Sequence, residues 1–133
     1  MTSKKPIYKK PFEPIDNYKE STWVGNSTPI FEDEHTAVFK DRYPCVDGHL
    51  LFIAKENTAE YIGRSYSLAF QWGQDRIKEG KMDGFNVGQN IGKCAGQTIY
   101  WPHIHFIPRK DGDSKKPGGI RHAHLGVIHK HHY

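Results

Sequence analysis

The spacing of apolar positions changes several times along this chain, and each change marks a predicted element. In residues 28–41, TPIFEDEHTAVFKD, two short apolar stretches flank a polar turn at residues 32–35. In the second stretch Thr36, Val38 and Lys40 alternate with Ala37, Phe39 and Asp41, which is the period of a strand. DRYPCVDG follows as a loop, broken by Pro44 and Gly48. Residues 49–55, HLLFIAK, are almost continuously apolar, as expected of a strand buried on both faces.

The period then lengthens. Ile62, Tyr66, Ala69, Gly73 and Ile77 recur at steps of three and four, which predicts an amphipathic helix with its stripe against a sheet. Asn57 or Thr58 supplies the N-cap, Glu60 favours the first turn, and Gly80 and Gly84 end the segment. FNVGQNIG at 85–92 reads as a strand that runs into a glycine-containing loop, KCAGQ. Residues 100–108 form the last core strand, and Pro102, which lacks an N–H, predicts an edge, a bulge or an unpaired amide there. The order strand, strand, strand, helix, strand, strand leaves little room for parallel crossovers. It predicts an α+β domain with a mostly antiparallel five-stranded sheet and one main helix packed on it.

A length of 133 residues with 17 aromatic rings suits one core. Residues 1–20 hold three prolines and five lysines and read as an arm, residues 21–113 as the folded domain, and residues 114–133 as a basic tail carrying five of the nine histidines. Charge sharpens this division. The arm has five lysines against three acids, residues 21–108 have eight basic against ten acidic residues, and residues 109–133 have six against two. Basic character therefore belongs to the ends, which argues against a domain-wide nucleic-acid surface. No stretch approaches the roughly 18 apolar residues of a membrane span, and the start lacks the apolar run of a signal peptide. The expectation is a cytoplasmic protein whose Cys45 and Cys94 are free thiols.

Chemistry concentrates in residues 96–109, GQTIYWPHIHFIPR. On a strand, residues two apart share a face, so Trp101, His103 and His105 point the same way. Three readings of the histidines compete. They can be hydrogen-bonded sheet residues without chemistry, or two ligands of a metal that needs further donors, for which His122 and His124 of the tail are candidates. They can also serve catalysis at phosphorus, where a neutral imidazole is a good nucleophile near pH 7 and a glycine loop offers N–H groups to phosphate oxygens.

The stretch GQTIYWPHIHFIPRKDGD resembles the signature of the histidine triad (HIT) superfamily, a GQ[ST] followed by H-x-H-x-H and often by Pro-Arg. PIFEDEHTAVFKD, DGHLLFIAK and NIGKCAGQ are similar to its earlier strands and loop, so the resemblance covers residues from about 28 to 113. It implies a nucleotide site in each subunit of a homodimer. By position, His103 matches the histidine that attacks the α-phosphate, and His105 and His49 match residues that contact phosphate or leaving-group oxygens. Asp41 matches a ribose-binding position, and Asn90, Gln97, Thr98 and Phe39 match other nucleotide- or phosphate-binding positions. Trp101 stands where the family keeps its first histidine, whose backbone carbonyl orients the nucleophile. The resemblance implies a nucleotidyl hydrolase or transferase working through a nucleotidyl-histidine, with no required cofactor, although Mg²⁺ can arrive with a phosphate substrate. A nucleotide-binding module with little catalysis and a hydrolase of nucleotide-capped nucleic-acid ends are the alternatives. The tail's HAHLGVIH echoes the motif without its loop and reads as a docking or dimer-capping segment.

Overall fold

The computed structural model describes residues 11–120, and its five strands form one antiparallel sheet with a long helix on one face. The strands are β1 (Phe31–Glu32), β2 (Thr36–Lys40), β3 (Leu50–Ala54), β4 (Gly84–Gly88) and β5 (His103–Arg109), and α1 spans Ala59–Lys78. Residues 1–10 of the arm and residues 121–133 of the tail, including His122 and His124, lie outside the described residues.

The turn between β1 and β2 is built by Asp33, whose carboxylate accepts from the His35 and Thr36 N–H groups at 2.8 Å each. The sheet order is β1-β2-β3-β5-β4. Helix α1 carries the chain from β3 to the far edge, and β5 returns between β3 and β4, antiparallel to both. This return sets the register that matters for function: His105 faces Leu51 and Gly88, and His103 faces Ile53.

Alternation divides the sheet into two apolar layers. Val38, Leu50, Phe52, Ile104 and Phe106 pack under α1 around Ala69, while Ala37, Phe39, Leu51 and Ile53 face the other way and are covered by Trp23 and Trp101. HLLFIAK looks uniformly apolar because both of its faces are buried. The chain before β1 supplies part of the second cover. The Phe12 N–H donates to the Thr98 carbonyl at 2.7 Å, Pro14 bridges Tyr100, and Ile15 and Tyr18 pack against the layer. A short 3-10 turn at Tyr18–Glu20, capped by Asn17, turns this segment toward Trp23.

Thr58 caps α1, its hydroxyl accepting from the Tyr61 N–H at 3.2 Å. The helix ends at Lys78, with Gly80 at φ +73°; Gly84 opens β4 rather than closing the helix. Its buried stripe is Ser65, Ala69 and Gly73, with Ile62 and Tyr66 alongside. Apolar periodicity overlooks Ser65, which donates to the Tyr61 carbonyl at 2.9 Å and accepts from the Thr36 hydroxyl at 2.7 Å. Both buried hydroxyls are thereby satisfied. Among the described residues no helix is long and apolar enough to cross a membrane.

Gly73 is fixed by contact rather than by backbone conformation. A Cβ at this position would overlap the ring of Phe85, which is held in turn by a stacked contact with Phe106 at 5.2 Å. Helix propensity alone favours alanine over glycine by about 1 kcal/mol. The overlap reverses that sign, so Gly73→Ala is expected to lose about 1–3 kcal/mol in urea unfolding. A gain in stability would show that α1 and the Phe85 ring separate freely.

Candidate functional site

The face opposite α1 gathers the candidate residues. Asp41 follows β2 and His49 precedes β3, and the Asp41 N–H donates to the His49 carbonyl at 3.0 Å, which extends the ladder beyond both strands. In β5, His103 and His105 share that face. The rings of His49 and His105 lie 5.1 Å apart, and those of His103 and His105 5.4 Å apart.

Hydrogen bonds assign the protons. The Trp101 carbonyl can only accept, so the 2.7 Å contact requires a proton on His103 Nδ1. In the neutral ring, Nε2 of His103 then keeps its lone pair. On the neighbouring ring, the Cys45 N–H can only donate, and it reaches His49 Nδ1 at 3.1 Å. The proton of neutral His49 therefore sits on Nε2, which lies 2.9 Å from His105 Nδ1 and 3.3 Å from Asp41 Oδ2. His105 Nδ1 accepts, and its own proton is left on Nε2. A fixed backbone amide thus sets two tautomers in series. Both nitrogens of His49 are engaged by the protein, by the Cys45 N–H and by His105 Nδ1.

Burial keeps these rings neutral. It lowers His49 and His103 below the ordinary histidine value, against the opposing pull of Asp41 and, for His103, of the bond to the Trp101 carbonyl. Burial, with repulsion from His103 and His49, lowers His105 to about 4 from 6.5. The unfolded chain therefore takes up protons first as the solution is acidified. The stability held by His105 is complete above pH 6.5 and is lost as the pH falls toward about 4. Thermal melts are expected to shift downward across that window, and His105→Gln to flatten the shift. Asp113, held at about 2 by Arg109, titrates below it. A melting temperature constant from pH 6.5 to 4 contradicts the assignment.

Asp41 Oδ2, His49 Nε2 and His105 Nδ1 are spaced like metal ligands, all within 4.8 Å of one another. The chemistry of the donor set opposes that use. A metal at His49 Nε2 would need the proton moved to Nδ1, where the Cys45 N–H already points.

A cavity of about 840 Å³ opens beside this cluster, lined among others by His105, Asn90, Gly88, Cys94, Arg109 and Lys116. His105 and Asn90 therefore reach open space, whereas His103 is 8% exposed beneath the tilted ring of Trp23, 5.1 Å away. The other candidates lie elsewhere. Gln97 braces the glycine loop, accepting from the Gly92 N–H at 2.8 Å and donating to the Ile99 carbonyl at 3.1 Å. Thr98 is exposed and offers its carbonyl to Phe12. Phe39, expected at the nucleotide, is 1% exposed in the apolar layer and has no face open to a ligand. Gly92 and Gly96 adopt φ +90° and +95°, which favours glycine at both turns of the loop. Cys45 and Cys94 are free and exposed, and both border the cavity.

Sequence reasoning missed Trp23 and the Cys45 amide. Trp23 sits in a stretch without period, and a backbone N–H leaves no trace in residue identity. Pro102 resolves simply: β5 begins at His103, so residues 101 and 102 stand outside the ladder.

Comparisons with known proteins show the family and the fold. The HIT domain family model matches residues 24–112. An uncharacterized HIT-like protein of Methanocaldococcus jannaschii is 28% identical over 109 residues, covering 76% of this chain and 84% of that protein. The adenosine 5′-monophosphoramidase of Saccharomyces cerevisiae is 32% identical over 95 residues, 66% of this chain and 58% of that enzyme. The chain thus spans less than two thirds of the yeast protein. A zinc-bound histidine triad family protein of Mycobacterium smegmatis superposes with a TM-score of 0.60 at 29% identity, covering 65% of this chain and 68% of that one.

Proposed function

The chain belongs to the HIT domain family, and on that footing we propose that it is a nucleotidyl hydrolase or transferase acting at the α-phosphate of a nucleotide derivative. The observation that carries the reading is the 2.7 Å bond from His103 Nδ1 to the Trp101 carbonyl, which leaves Nε2 as an oriented lone pair. His103 Nε2 bonds to phosphorus as the bond to the leaving group breaks. The departing atom takes a proton from cavity water while His105 Nε2–H hydrogen-bonds the phosphoryl oxygens or the leaving group. Water then attacks phosphorus, the N–P bond breaks, a proton returns to solvent, and neutral His103 is restored. In this reading Asn90, on the cavity wall, meets phosphate oxygens and Asp41 meets the ribose hydroxyls. No metal takes part in these steps, although Mg²⁺ can accompany a polyphosphate substrate. A homodimer and a cytoplasmic location belong to the same reading.

The limited exposure of His103 favours, as a second reading, nucleotide binding with little turnover. One experiment separates the two. The protein is incubated with an adenosine phosphoramidate or a dinucleoside polyphosphate, quenched in base, and weighed intact. An added nucleotide mass on His103 supports covalent catalysis; its absence, with turnover unchanged in His103→Ala, overturns it.

A further inference from the structure

The residue that the sequence resemblance sets apart from the family motif, Trp101, is anchored through both its side chain and its main chain. Trp101 is 4% exposed, and its indole N–H donates to the carbonyl of Ala54 at 2.7 Å. Ala54 is the last residue of β3, set opposite Thr36 of β2 and one residue beyond the last β3–β5 pair, Ile53 with His103. The carbonyl of the same tryptophan receives the His103 Nδ1 proton at 2.7 Å. One residue therefore ties β3 to the segment that leads into β5 through its side chain and holds the histidine through its main chain.

That tie has a specific purpose. β5 enters the ladder only at His103, and Pro102 has no N–H to extend it backwards. The ladder thus leaves the Trp101 carbonyl unsupported, although that carbonyl decides which nitrogen of His103 carries the proton. Pro102 confines the residue before it to extended backbone, and the indole bond fixes what freedom remains. We propose that Trp101 is a positioning residue whose indole-to-Ala54 hydrogen bond holds the carbonyl that orients His103. The proposal rests on the reading of His103 as the nucleophile.

Trp101→Phe keeps an aromatic ring in the apolar layer and removes the indole donor together with part of the buried volume, so the tautomer and the pH profile rather than stability carry the test. It is expected to lower kcat about tenfold with KM within about twofold, because a displaced nucleophile affects the reacting geometry more than binding. ¹⁵N spectra of the His103 ring are expected to change from a single Nδ1–H form to a mixture of tautomers, and the acid limb of the pH–rate profile to move with them. General destabilisation would lower the folded fraction and leave tautomer and profile alone. A variant with wild-type kcat, tautomer and acid limb overturns the proposal. The unaltered protein gives a check that needs no variant: the Trp101 indole N–H should exchange slowly with solvent, and fast exchange overturns the proposal. Failure of the underlying reading looks different, since wild-type protein would then form no nucleotidyl adduct on His103.

Discussion

Replacing His103 by alanine is expected to abolish the nucleotidyl adduct and to lower turnover on the order of 10⁴-fold while the fold persists. Loss of a covalent nucleophile removes the divided pathway altogether, and what remains is binding and electrostatic assistance from the rest of the site. His105 does not substitute for it, because its Nδ1 is occupied by His49 and its Nε2 carries the proton. The substitution should leave substrate affinity nearly intact, since the nucleophile acts in the chemical step while the remaining groups of the site still bind the substrate. Intact mass after base quench reads the adduct, and steady-state kinetics with matched circular dichroism reads the rest. A variant that keeps a tenth of wild-type turnover would remove His103 from the mechanism.

Phe52→Ala is expected to cost about 3–5 kcal/mol, a large share of the roughly 5–15 kcal/mol that holds a domain of this size. Phe52 is fully buried at the centre of β3, between Val38 and Ile104 in register. Its ring meets Trp72 of α1 edge-on at 5.6 Å and Phe106 at 5.8 Å. The site collapses poorly because its walls come from two strands and a helix, so a cavity remains when the ring is removed. The urea midpoint should fall at unchanged m-value. A loss below about 1 kcal/mol would show that α1 closes over the gap.

These two predictions draw on different layers of information. The helix, its cap, the doubly buried β3 and the strand bearing the histidines follow from apolar spacing, because each depends on residues close together in sequence. So does the placing of His103 and His105 on one face. Ser65 escaped that reading because its burial depends on a hydroxyl partner 29 residues away, Thr36. Position in a motif puts Gln97 and Phe39 at the nucleotide, yet Gln97 braces its own loop and Phe39 fills the apolar layer with Trp23 and Trp101.

The sequence by itself determined which elements form and which residue types are available for chemistry at phosphorus. Only the tertiary structure decided which nitrogen carries each proton. That assignment depends on the Trp101 and Ala54 carbonyls, which every residue type supplies, and on the Cys45 N–H, which every residue type but proline supplies. Their positions are set when β5 inserts between β3 and β4, a long-range pairing that local periodicity does not encode.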